Sequence, residues 1–168
     1  MDHQPENSQI DRSKILVEEV KNLEEIIKRM ASNSLEIKKW TVALVAGVLA
    51  LKVGRGASSL IALIPLCAFW YLDAFYLRLE RIFRKKYEWL IQYRPKHDDR
   101  LFDMDIGEFN NQVDSCFQIA KSKSVLLFYG GIGVPLMLVA LYDLQPYLAA
   151  FGAGVLGAWL VCYLCKSN

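Results

Sequence analysis

The feature that most constrains this chain is the division of its hydrophobic residues into two long blocks. Residues 40–76 and 124–165 are almost wholly apolar, whereas residues 1–36 are polar and residues 77–123 are mixed and charged. Hydrophobic residues make up 54% of the 168 positions, and a soluble domain would spread such residues along amphipathic elements. Blocks of this length indicate instead that lipid is the solvent for much of the chain.

Each apolar block contains a turn signal near its middle. Gly54-Arg55-Gly56-Ala57 divides the first block, and Asp143-Leu144-Gln145-Pro146 divides the second. As helices, the four segments 35–53, 58–76, 124–142 and 147–165 would each be about 28 Å long, enough to cross a bilayer. We therefore expect an all-α fold with four transmembrane helices in two hairpins and a helical cytoplasmic extension. The predicted organisation is an amphipathic helix over 1–34, hairpins over 35–76 and 124–165, a helical segment over 77–123, and a tail over 166–168.

The distribution of lysine and arginine predicts how these segments are oriented. Of the 20 basic residues, seven lie before Trp40, ten lie between residues 77 and 123, and one follows Cys165, whereas the two hairpin turns hold only Lys52 and Arg55. Basic residues accumulate on the cytoplasmic side of membrane proteins. We therefore expect a multi-pass protein of the inner (plasma) membrane, in contact with membrane lipids, with both termini cytoplasmic.

Two helices outside the predicted bilayer carry apolar stripes that need a partner. Residues 8–31 are expected to form a helix with a heptad seam, which ends at Ser32-Asn33-Ser34. Residues 58–93 are expected to form one long helix that ends before Pro95. The seam packs either on another part of this chain or on another subunit, and the second half of the long helix is the natural surface within the chain. Asp105 and Glu108 are a capping-box signal for a further short helix that continues to residue 122. The predicted cytoplasmic partner surface comprises Leu16, Val20, Leu23, Ile27, Met30, Phe83 and Tyr87.

The last two predicted spans are rich in small residues at helical spacing. Such rows allow helix backbones to approach closely inside a membrane. They pack either the two helices of one hairpin or neighbouring subunits, and both alternatives favour a homo-oligomer because four thin helices bury little by themselves. The candidate helix-packing residues are Gly130, Gly131, Gly133, Ala150, Gly154, Gly157 and Ala158.

Four charged residues near the end of the second span are the candidates for a functional role. Asp73 lies at the predicted cytoplasmic boundary, where a carboxylate is costly unless it is paired or hydrated. Glu80 and Arg84 have the spacing of a helical ion pair, and Arg81 lies beside them. The alternatives are an interfacial aspartate bonded to a tyrosine, lysine or water, and a solvated face in contact with lipid headgroups.

The sequence contains no pattern typical of an enzyme, a metal site or a nucleic-acid-binding protein. Catalytic triad, zinc-protease and phosphate-loop patterns are absent, so we expect no catalytic residues and no cofactor. Cys162 and Cys165 have zinc-like spacing, but no second ligand pair accompanies them. The net charge of +2 gives no basic excess for nucleic acid.

The run from Trp70 to Arg84, WYLDAFYLRLERIFR, resembles the juxtamembrane motif W-x-L-D-A-[YF]-Y-L-x-x-E-R-x-[FY]-R of small bacterial multi-pass inner-membrane proteins. Phe102-Asp103-Met104 and the segment 122–129 resemble the second half of that family, so the similarity covers about residues 36–130. Members resemble membrane components linked to antiviral defence systems. The resemblance implies an oligomeric inner-membrane effector that permeabilises or depolarises the membrane in antiphage defence when a cytosolic protein partner signals. The alternative is a non-conducting anchor or scaffold that recruits a cytosolic protein.

Overall fold

The computed structural model describes residues 5–51, 58–97 and 100–166, and these residues contain helices but no strand. The α-helices are α1 (Pro5–Leu51), α2 (Ser58–Tyr93), α3 (Cys116–Ala120) and α4 (Lys123–Lys166), with 3₁₀ helices at Arg94–Lys96 and Gly107–Gln112. The all-α prediction is confirmed. The predicted bounds of the long helix 58–93 are also confirmed, and the turn predicted at Gly54–Ala57 lies outside the described residues.

Two helical stretches in the described part of the chain are long and apolar enough to cross a membrane. They are Ile61–Lys96, whose most apolar 18-residue window has a mean hydropathy of 1.4, and Lys123–Trp159, whose most apolar window of that length has a mean hydropathy of 2.1.

The prediction that Ser32-Asn33-Ser34 ends the first helix is wrong, because α1 continues through it to Leu51. The apolar seam provides the reason, since it continues through buried Ser34, Ile37 and Thr41 at four- and three-residue steps. The Ser34 hydroxyl is bonded to other side chains and so does not compete for the helix backbone. Tertiary contacts thus outweigh the local break signal.

The turn predicted at Asp143-Leu144-Gln145-Pro146 is not formed in the structure, where α4 is continuous. Proline removes one backbone donor from a helix and strains the preceding turn, but apolar helix-forming residues on both sides maintain the helix here. With 44 residues, α4 is about 66 Å long.

The helix predicted to run to residue 122 is interrupted. Instead of capping an α-helix, the Asp105 carboxylate accepts a hydrogen bond from the Gly107 N–H at 2.9 Å, and a 3₁₀ helix follows. The capping box forms later, where Ser115 and Gln118 bond each other's backbone at the start of α3. The short-range geometry of Asp105 therefore decides the local structure.

The chain forms two compact units, the first comprising residues 1–40 and 69–126 and the second residues 41–68 and 127–168. In the first unit, α3 packs on α2 through Ala74, Ile119 and Ala120, with Trp70 and Leu77 at the edge. The Trp70 indole N–H donates to the Ala120 carbonyl at 3.0 Å. This contact fixes the end of α3 beside the middle of α2.

In the second unit, one of the predicted small residues lies in close contact with another helix. A Cβ atom on Gly133 would lie 3.3 Å from Leu66 Cδ2, whereas a Cβ on Gly130 or Gly131 would meet nothing within 4 Å. In the described residues, the later members of the predicted row are exposed or face open space: Ala150, Gly154, Gly157 and Ala158.

Gly133→Leu is expected to lower stability by about 1–3 kcal/mol, because the larger side chain overpacks against Leu66. The matched control is Gly131→Leu, which enters open space and replaces a poor helix former. Thermal unfolding of the detergent-solubilised chain measures both. Equal shifts in the two variants would contradict the close approach of α4 to α2.

Candidate functional site

In the first unit, α1 and α2 pair in antiparallel orientation, and polar contacts fix their register. Glu19 of α1 contacts Arg94, just beyond the end of α2, and Tyr87 donates to Glu24 at 3.3 Å. Further along α1, Lys38 contacts Asp73. The predicted partner surface lies in this hairpin: Leu23 is buried, and Leu16, Val20, Ile27, Met30, Phe83 and Tyr87 are half-buried.

Asp73 lies at the centre of a three-residue network. Its side chain is fully buried, and the Ser34 hydroxyl donates to its Oδ1 at 2.5 Å. Lys38 Nζ lies 2.7 Å from Oδ1 and 2.6 Å from Oδ2, and it also donates to the Ser34 hydroxyl at 2.9 Å. The Lys38 side chain retains 22% exposure. The carboxylate is thus neutralised by a cation that itself reaches the surface of the described chain.

Glu19 and Arg94 form a second buried ion pair. Arg94 donates from Nε to Glu19 Oε2 at 3.0 Å and from its second terminal nitrogen to Oε1 at 3.3 Å. Glu19 Oε1 also accepts the backbone N–H of Phe102 at 2.7 Å. Phe102 has a φ of 55°, a left-handed conformation that a bulky side chain rarely adopts. One carboxylate therefore holds both the end of α2 and a strained loop residue.

Lys86 is a further buried charged residue, and it holds the segment after α2. Its Nζ lies 3.3 Å from Asp103 Oδ2 and donates to the Asp105 carbonyl at 3.1 Å. The same ammonium lies 4.8 Å from the ring centre of Trp89 and 5.6 Å from that of Phe109, within the range of cation–π attraction.

Hydrogen bonds lower the pKa of two acidic groups in this segment. The backbone N–H of Asp105 holds the pKa of Asp103 below its ordinary value, and Lys86 acts in the same direction. The pKa of Glu108 is lowered mainly by its bonds from Arg100, at 2.8 and 2.6 Å. The folded chain therefore favours the ionised form of both carboxyl groups.

The stability of the first unit is expected to fall as the pH drops below about 4. A carboxyl whose pKa is lower in the folded state stabilises that state above its unfolded pKa, and the gain is lost as the pH falls through the folded pKa. Asp103→Asn should remove its share of this dependence. Unfolding midpoints between pH 3 and pH 7 measure it, and an unchanged slope in the variant would contradict the assignment.

The predicted charged candidates do not form one cluster. Glu80 and Arg84 make the expected ion pair at 2.7 Å, whereas Arg81 contacts Asp114 at 3.3 Å. Asp73 is paired with α1 instead. Among the described residues, no group of three or more His, Cys, Asp or Glu is placed to hold a metal ion.

Ser34, Glu19 and Lys86 were not predicted from the sequence to be parts of the site. Each lies on a buried helical face, because Glu19 follows Leu16 by three residues and Lys86 follows Ile82 by four. A polar residue within an apolar stripe is the signal that could have identified them.

Comparison of the chain with protein-family models, with curated proteins and with solved structures gives no match.

Proposed function

We propose that the chain is an oligomeric inner-membrane effector that depolarises or permeabilises the membrane in antiphage defence when a cytosolic partner signals. In this proposal the first unit receives the signal, and the Ser34–Lys38–Asp73 network transmits it to the apolar parts of α1 and α2. Glu80, Arg81 and Arg84 contribute the surface next to that network.

The observation that carries the proposal is the fully buried Asp73, paired across two helices beside the apolar stretch of α2. A buried ion pair is often no more stabilising than apolar residues of similar size, whereas loss of one partner is strongly destabilising. Such a pair is therefore suited to switching between a closed and an open arrangement.

The proposal includes four membrane spans with both termini in the cytoplasm. At about 66 Å, α4 is roughly twice as long as the hydrocarbon core is thick. In a bilayer we expect it to fold back at Asp143–Pro146, where Pro146 already removes one backbone hydrogen bond. Tyr142 and Gln145 would place polar groups at the membrane surface.

A reporter fused to each terminus tests this topology. Four spans place both reporters in the cytoplasm, whereas an α4 that crosses once places the C-terminal reporter outside. Reporters on opposite sides would refute the fold-back of α4 while leaving the role of Asp73 open to its own test.

Membrane potential in phage-infected cells tests the function. With its operon partners, the unmodified chain is expected to depolarise the membrane, and Lys38→Met/Asp73→Leu is expected to abolish the response. The matched control is Glu36→Leu/Lys39→Met, which removes an exposed ion pair of 2.6 Å in the same turn of α1. An unchanged potential during infection would refute the effector function.

One observation favours a second function, a non-conducting anchor that recruits a cytosolic protein. The buried Asp73 is paired, and the described part of α4 has no row of ionisable residues such as water-filled pores carry. Stable capture of a cytosolic protein, together with full activity of the Lys38→Met/Asp73→Leu variant, would support the anchor.

A further inference from the structure

We infer that α3 and the link to α4 form a binding surface for anionic phospholipid headgroups. This inference names a lipid class and a surface for the membrane location proposed above, and it rests on that location. The surface consists of Phe117, Lys121 and Lys123, with Trp40 and Tyr71 at the same level of the first unit.

Helix α3 has one buried side and one exposed side. Ile119 and Ala120 are buried against Ala74 of α2, whereas the Phe117 side chain on the other side is 67% exposed. Lys121 Nζ lies 4.1 Å from the centre of the Phe117 ring. An exposed aromatic ring beside a long basic side chain is typical of segments that lie in the membrane interface.

The end of α3 lies at the same level along α2 as two exposed aromatic side chains. The bond from Trp70 to the Ala120 carbonyl places the end of α3 at the level of Trp70. The contact between Lys38 and Asp73 places Trp40 at the same level, because α1 and α2 are antiparallel. Trp40 and Tyr71 are 60% and 62% exposed. Exposed tryptophan and tyrosine at one level form the aromatic belts of membrane interfaces.

The link between α3 and α4 is positively charged. In the described part of the chain, neither Lys121 nor Lys123 has a carboxylate partner. On the neighbouring surface of the first unit, Arg81, Arg84 and Lys85 are each paired with an acidic side chain. The two lysines are therefore available to attract the phosphate of a lipid headgroup at this level of the first unit.

The basic link leads directly into the apolar helix α4. Lys123 is the first residue of α4 and of its stretch long enough to cross a membrane. Lysines just before and at the start of such a stretch lie within reach of the headgroups once the helix enters the bilayer. This placement favours a lipid surface over a soluble acidic protein as the partner.

Tryptophan quenching by brominated lipids tests the inference on the full-length chain in vesicles. The preference for brominated phosphatidylglycerol over brominated phosphatidylcholine is measured for the unmodified chain and for Lys121→Gln/Lys123→Gln. Each lysine near an anionic surface contributes roughly five-fold, so the double variant should reduce the preference roughly 10- to 30-fold. Lys121→Arg/Lys123→Arg should retain it, because arginine keeps the charge.

The matched control is Lys28→Gln/Lys96→Gln, which removes two exposed lysines elsewhere in the same unit and should retain the preference. An unmodified chain that inserts into vesicles without preferring phosphatidylglycerol would overturn the inference alone. A preference that survives in Lys121→Gln/Lys123→Gln would also overturn it, as would release of the preference by a soluble acidic peptide. A chain that washes off the vesicles at alkaline pH would overturn the membrane location itself, and the inference with it.

Discussion

Glu19→Ala is expected to destabilise the first unit by about 3–5 kcal/mol, the cost of removing one member of a buried ion pair. The variant removes the two carboxylate oxygens that accept from Arg94 and the acceptor of the Phe102 N–H, whereas the bond from Arg94 to the His97 carbonyl remains. Arg94 is itself buried, with 5% of its surface exposed. Because whole domains are stable by only about 5–15 kcal/mol, the loss should be large in any unfolding measurement.

The matched control for this prediction is the preceding residue. Glu18 forms an exposed ion pair with Lys21 at 3.3 Å, so Glu18→Ala should change stability by less than about 1 kcal/mol. Thermal or chemical unfolding of the full chain in detergent compares the two variants. Similar losses for Glu18→Ala and Glu19→Ala would contradict the buried pair.

A double variant separates the ion pair from simple packing. Glu19→Leu/Arg94→Met replaces both charges by apolar side chains and should recover much of the stability lost in Glu19→Ala. The Phe102 N–H still loses its acceptor, so recovery should fall short by about 1–3 kcal/mol. Complete failure to recover would indicate that shape rather than charge determines the loss.

Lys38→Met is expected to cost about 3–5 kcal/mol, because it leaves the fully buried carboxylate of Asp73 with only the Ser34 hydroxyl. Asp73→Asn should cost less, since the stranded ammonium of Lys38 is 22% exposed and can turn toward solvent. The order of the two losses is therefore predicted as well as their size.

The neighbouring Lys39 provides the control for Lys38. It pairs with Glu36 at 2.6 Å, but both side chains are more than half exposed, so Lys39→Met should change stability by less than about 1 kcal/mol. Unfolding of the single variants and of Lys38→Met/Asp73→Leu, in the same detergent, measures the coupling between the two sites. A smaller loss for Lys38→Met than for Asp73→Asn would contradict the geometry.

The sequence predicts those parts of the fold that depend on nearby residues. The bounds of α2, the amphipathic stripes of the hairpin and the Glu80–Arg84 pair all follow from spacings of three or four residues, and each is present in the structure. The position of Asp73 within an apolar stretch was also a sufficient signal that the residue needs a partner.

The features that the sequence does not predict depend on contacts between distant residues. Ser32-Asn33-Ser34 is typical of a helix end because serine and asparagine favour turns locally. In the structure, however, Ser34 is hydrogen-bonded to Asp73, which lies 39 positions further along the chain. The partner of Glu19 is Arg94, which lies 75 positions away, so no local spacing predicts the pair. In α4, the local turn signal of Pro146 is outweighed by the helix-forming residues around it.

The spacing of the ion pairs along the α1–α2 hairpin limits how the two helices can move past each other. Glu19–Arg94 lies at one end of the contact, and Lys38–Asp73 lies 19 residues further along α1. Sliding by a single helical turn, about 5.4 Å, would separate both pairs together. Gradual slippage is therefore unfavourable, and any longitudinal shift of α1 should occur as one discrete step with a definite threshold.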